Sequence, residues 1–210
     1  MTWARRSLIW AALIATIGVP MALAATSPFL QWRDAIYIAA GFAGIAALGL
    51  LLIQPLLIAG YLPGLQAYRG RRVHHWIGGA LVVAIVIHVA GLWITSPPDM
   101  RDALLFRSPT PFSPFGVVAM WAVFAVALLA AFRRRLELTP RTWRIAHMIL
   151  AAIIVVGSVV HAMLVEGTME TISKAALCAL VLAMAIKVMS DLRARKQRMT
   201  PRAERSARPQ

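Results

Sequence analysis

Acid is scarce in this chain. Eight aspartates and glutamates stand against 22 lysines and arginines, and charged residues of both signs make up only 14% of its 210 residues. A soluble domain carries about 25%. With 60% of the residues hydrophobic, no soluble domain is expected. A single cysteine, Cys178, excludes an intrachain disulfide and any cluster of thiolates. Also missing is a glycine-rich dinucleotide fingerprint, so no flavin or NAD(P)H site is expected in this chain.

In place of these the sequence offers apolar length. Six runs, near 8–25, 35–59, 74–95, 115–132, 143–165 and 170–190, are close to the roughly 20 residues that a bilayer core requires. The expected fold is all-α, a polytopic bundle of six transmembrane helices over residues 1–191, followed by a basic, disordered tail over 192–210. Pro55 is expected to kink the second span, because proline removes a backbone donor and crowds the preceding turn. The first run, with Arg5, Arg6 and the small residues Ala22-Leu23-Ala24, also resembles a secretory signal. An uncut first helix is expected, since an even helix count agrees with the basic tail.

Basic residues are retained on the cytoplasmic side of a membrane. Arg5 and Arg6, then Arg69, Arg71 and Arg72, then Arg133, Arg134, Arg135 and Arg141, then Arg193, Arg195, Lys196 and Arg198 all fall on one side. The opposite connections carry Arg33, Arg101, Arg107 and Lys174, diluted by Asp34, Asp99, Asp102, Glu166 and Glu170. Both termini are therefore expected in the cytoplasm, in a bacterial-type inner membrane. The net charge of +14 belongs to this asymmetry and to the tail, so nucleic acid is not an expected partner.

All five histidines lie in two of the apolar runs. An ionisable or metal-ligating side chain inside a membrane helix costs free energy and is read as a functional site with a partner. His74 and His88 are fourteen residues apart, as are His147 and His161, a rise of about 21 Å that returns to within roughly 40° of the starting direction. Each pair therefore looks out from one helix face. The orientation pairs His74 with His147 on the cytoplasmic side and His88 with His161 towards the outside. Imidazole is the usual ligand where a protein holds haem iron from both sides, and a porphyrin is apolar enough for a membrane interior. Axial haem ligation, bare metal ions and a proton path all remain readings of this set. His75 stands thirteen residues before His88, turned about 140° away on an ideal helix. It is expected to face water or a haem propionate, and fraying at the helix start leaves it open as a ligand in place of His74.

His74-His75-Trp76-Ile77-Gly78 followed by His88, and Trp143-Arg144-Ile145-Ala146-His147 followed by His161, together resemble the ferric reductase-like transmembrane family. The likeness spans roughly 35–190. That family includes ferric reductases, the membrane part of NADPH oxidases and the membrane subunit of the periplasmic methionine sulfoxide reductase system. The resemblance implies two b-type haems between the third and fifth spans, held by His74, His88, His147 and His161, and electron transfer across the membrane. Two departures stand out: the second pair is often thirteen apart in the family, and the residue after the first ligand, commonly arginine, is His75. Electrons are expected to come from a separate flavin reductase or from quinol and to leave to a periplasmic acceptor. A haem-free transition-metal transporter, and a haem-binding sensor or assembly subunit without net electron flux, are the alternatives.

Around these residues the sequence gives weaker expectations. Arg72, Arg141 and Arg144 lie near the cytoplasmic histidines as candidate propionate contacts, or as part of the positive-inside bias. Gly78, Gly79 and Gly157 serve either macrocycle approach or plain helix contact. The connection Ser96 to Pro114, with five prolines, is expected to be an extended loop over the outer end. Trp3, Trp10, Trp93 and Trp143 are expected as interfacial anchors, and Cys178 as a packing residue.

Overall fold

The computed structural model describes residues 2–65 and 67–206, with the side chains of 67, 192, 193 and 195–206 excepted. Among the described residues there are seven α-helices and no strand: α1 (Trp3–Ala25), α2 (Ala35–Ala59), α3 (Ala67–Thr95), α4 (Pro97–Leu104), α5 (Ser113–Phe132), α6 (Pro140–Leu164) and α7 (Thr171–Ser206). All but α4 are long and apolar enough to cross a membrane, the last over Thr171–Asp191. The third and fifth spans of the sequence are thus α3 and α6. Backbone helix in α7 runs on through the basic segment to Ser206. The expectation of a separate tail over 192–210 falls on residues whose side chains, Ala194 apart, lie outside the described set.

Helix boundaries follow from local chemistry. Asp34 accepts a hydrogen bond from the Ile36 amide at 2.7 Å to start α2, and Gly60, in the left-handed region at φ 72°, ends it. Thr139 accepts from the Thr142 amide at 3.1 Å ahead of Pro140, the first residue of α6. Glu170 starts α7, accepting from the amides of Ile172 and Ser173 at 2.7 Å each. Those backbone donors hold its carboxyl below the usual glutamate range.

The connection between α3 and α5 departs from the expected extended loop. Pro97 and Pro98 open α4, because a proline in the first helical turn removes only an amide that has no partner there. Beyond it, Ser108, Thr110 and Ser113 link their hydroxyls and bring the chain into α5. Lys174, read from the sequence as a loop charge, is buried in the first turn of α7, 7% exposed. Its ammonium donates to the Val165 carbonyl at 2.8 Å and so caps the end of α6.

Packing divides the bundle into two hairpins. α2 packs closely on α3 and α5 on α6, while α7 lies against both α2 and α6. A shared core joins them: Leu48, Leu51 and Leu52 of α2, Leu81 of α3, Val123 of α5, Ile154 and Val155 of α6, and Leu177, Cys178 and Val181 of α7. Cys178 is therefore a core residue. α1 sits at the edge, with Ile17 against Gly49 of α2, where an added Cβ would lie 2.8 Å from its methyl. α3 and α6 are not closely packed on one another. Their facing sides meet instead through histidine rings.

Candidate functional site: two histidine layers

α3 and α6 run parallel, and the two fourteen-residue intervals coincide in space. His74 of α3 faces His147 of α6 with ring centres 6.1 Å apart, and His88 faces His161 at 6.5 Å. His75 stands outside this ring pairing. It is exposed, 6.0 Å from the His74 ring, and lines a cavity of about 610 Å³ at the end of the bundle where α3 and α6 begin. Of the doublet, His74 makes the ring contact with His147, while His75 borders the cavity together with Trp143 of α6.

The layer of His88 and His161 is anchored from behind. His88 Nδ1 lies 2.8 Å from the Ala40 carbonyl of α2, and His161 Nδ1 lies 3.0 Å from the Phe112 carbonyl at the start of α5. A carbonyl only accepts, so each Nδ1 donates its proton and each Nε2 keeps a lone pair. In the layer of His74 and His147, both Nδ1 atoms are buried without a hydrogen-bond partner among the described residues, as is Oε1 of Gln54 on α2. Gln54 stands by this layer: a Cβ on Gly78 would come within 3.4 Å of its amide nitrogen.

The surroundings differ from the sequence expectations in several places. Trp143 does more than mark an interface: its ring leans on His147 at 5.3 Å and 34°, and the Arg133 guanidinium lies 5.1 Å over its centre. Arg133 and Arg134 line the cavity beside His75 and Trp143. Arg72, Arg141 and Arg144 are exposed near the same end but are not among its lining residues. Gly157 serves helix contact, since a Cβ there would meet the Phe115 carbonyl at 3.0 Å and Ala119 at 3.1 Å. Open space surrounds Gly79. Among the described residues no group of three or more His, Cys, Asp and Glu side chains gathers as a metal-ion site.

Six apolar spans with two histidine pairs in register between α3 and α6 define a polytopic helical membrane protein. The chain belongs to the ferric reductase-like family: the family model described as ferric reductase like transmembrane component matches residues 40–158. That stretch is narrower than the likeness read from the sequence and ends three residues before His161. Neither the curated proteins nor the solved structures compared with the chain gave a match.

Haem, which the family implies, suits the residues present. Two imidazoles bound to one metal from opposite sides, with metal–nitrogen bonds of about 2.0 Å and ring centres about 1.2 Å behind the nitrogens, stand roughly 6.3 Å apart. The observed 6.1 and 6.5 Å bracket that separation. The ring planes are inclined at 63° and 80°, and ligation leaves this inclination free. The unpartnered nitrogens of His74 and His147 point the same way.

Proposed function

We propose that this protein is a transmembrane b-type cytochrome with two haem sites, passing electrons from a donor on the cytoplasmic side to an acceptor on the other. The observation that carries this reading is the pair of histidine layers with separations suited to axial ligation. Two haems, when bound, supply one-electron redox chemistry. His74 with His147 hold one site and His88 with His161 the other. With two histidines to each site, the protein's own side chains would hold the iron and leave no position for substrate. No residue is assigned as acid, base or nucleophile.

The remaining residues bind, orient and exclude water. The core around Leu51, Leu81, Val123 and Val155 is buried within the bundle, and an apolar shell around a metal site controls solvent access and potential. Arg72, Arg141 and Arg144, with Arg133 and Arg134 at the cavity, supply cations for propionates at the cytoplasmic end. His75 is a further propionate contact. The cavity bordered by His75, Arg134 and Trp143 is the face offered to the donor, a separate flavin reductase or quinol; family members usually work with cytoplasmic reductase domains. At the opposite end, α4 and the chain into α5 form the surface offered to a periplasmic oxidoreductase or small acceptor. The positive-inside bias supports a bacterial-type inner membrane with both termini in the cytoplasm.

Oxidised and dithionite-reduced absorption spectra with pyridine haemochrome quantitation test this directly. The wild-type chain is expected to hold two b haems, and His88→Ala and His147→Ala each one. A wild-type chain expressed with ample haem that carries none would overturn the reading and favour a haem-free metal transporter.

A further inference from the structure

The carbonyl that receives each proton from the layer of His88 and His161 stands in the same local setting. Ala40 is followed four residues later by Gly44, and Phe112 four residues later by Gly116. In each case the histidine ring lies over the glycine to reach the carbonyl one turn back. A Cβ on Gly44 would lie 3.0 Å from His88 Nδ1 and 3.1 Å from Cε1; a Cβ on Gly116 would lie 2.6 Å from His161 Nδ1 and 2.8 Å from Cε1. Separations below 3.0 Å are not found between real atoms of this kind, and those just above it are tighter than ordinary contact.

The helices are brought together by a second small residue in each hairpin. A Cβ on Gly91 of α3 would press on Ala40 at 2.8 Å, and one on Gly157 of α6 on the Phe115 carbonyl at 3.0 Å. Two hairpins thus repeat one arrangement. His88 follows Gly44 by 44 residues and His161 follows Gly116 by 45. The layer of His74 and His147 lacks the device: the Gln54 backbone stands near His74, but Ile58 and not a glycine follows it by four residues, and neither Nδ1 meets an acceptor in hydrogen-bond geometry.

We infer that Gly44 and Gly116 are positioning residues, which let His88 and His161 donate Nδ1–H to the Ala40 and Phe112 carbonyls and so present Nε2 to one shared metal centre. The inference rests on the haem reading above. A hydrogen bond at the remote nitrogen fixes tautomer and ring orientation and makes the ligating nitrogen more basic. A more basic pair favours the oxidised metal. The two layers are therefore chemically unequal, with the glycine-backed layer held at the lower potential by this effect.

The test compares Gly44→Ala and Gly116→Ala with Gly18→Ala, where a Cβ meets nothing within 4 Å. Haem content, low-spin electron paramagnetic resonance and a spectroelectrochemical titration are recorded for each. Both cradle variants are expected to alter the same one of the two components, moving its potential upward or losing its haem, and to leave the other component as in wild type; Gly18→Ala is expected to change neither. Unchanged components in both cradle variants, or a different component altered by each, would overturn the inference while two haems in the wild type kept the cytochrome reading. Should neither cradle variant accumulate, electron–nuclear double resonance on wild-type protein labelled with 15N-histidine decides. Protonated, hydrogen-bonded remote nitrogens on one component support the cradle, and deprotonated ones on both components overturn it. A wild type without haem ends the haem reading and this inference together.

Discussion

His74 and His75 are chemically identical neighbours with different surroundings. One helical step of about 100° turns His74 towards His147 and leaves His75 exposed beside the cavity. Under the proposed function His75→Ala is expected to keep both haems and His74→Ala to lose one, read by haem content per chain; the reverse result would give the ligand role to His75. The direction of His74 was legible in the sequence because the fourteen-residue interval with His88 shares a face. Ala40, Phe112, Gly44, Gly116 and Gln54 were not legible. Each gains its place from a neighbouring helix far off in sequence, and a glycine in an apolar run looks the same whether it faces lipid, a helix or a ring.

Elements are fastened at their ends by polar contacts. Lys174 of α7 caps α6 through the Val165 carbonyl, and Tyr61, just past α2, donates to Asp191 of α7 at 2.6 Å. A hydrogen bond from a charged donor is worth about 1.5–3 kcal/mol. Lys174→Met keeps the stem and removes the donor, so it is expected to destabilise the bundle by roughly that amount, measured as thermal unfolding in detergent. A loss well below 1 kcal/mol would mean that water serves Val165 equally well. Six spans were readable from apolar length, with ends close to those found, although α3 begins at Ala67, ahead of the expected 74. Arg69, Arg71 and Arg72 hid that start, since helical turns outside the apolar core have no hydropathy signal. The short α4 was hidden by its prolines, which read as extended chain and act as helix starters.

For the whole molecule the open physical question is direction across the membrane. Charge asymmetry places the α5–α6 connection, with Arg133, Arg134 and Arg135, on the cytoplasmic side and α4 outside. A phosphatase reporter that is active only outside the cytoplasm is expected to work when fused after Leu105 and to fail when fused after Leu136. The opposite pattern would invert the proposed flow of electrons. The histidine register was within reach of sequence reasoning because both intervals are fourteen residues. The division into two hairpins, with α7 spanning them, was not, because it depends on which apolar faces find each other.

That division has a consequence for the order in which the molecule is made. Every layer takes one imidazole from α3 and one from α6, so a ribosome that has delivered α3 to the membrane has completed neither. The α2–α3 hairpin must wait, its histidines seated on one side only, until some 70 further residues have emerged. Both layers are completed late and within one helix of each other, His147 first and His161 fourteen residues later. Truncation anywhere before α6 therefore leaves no layer intact.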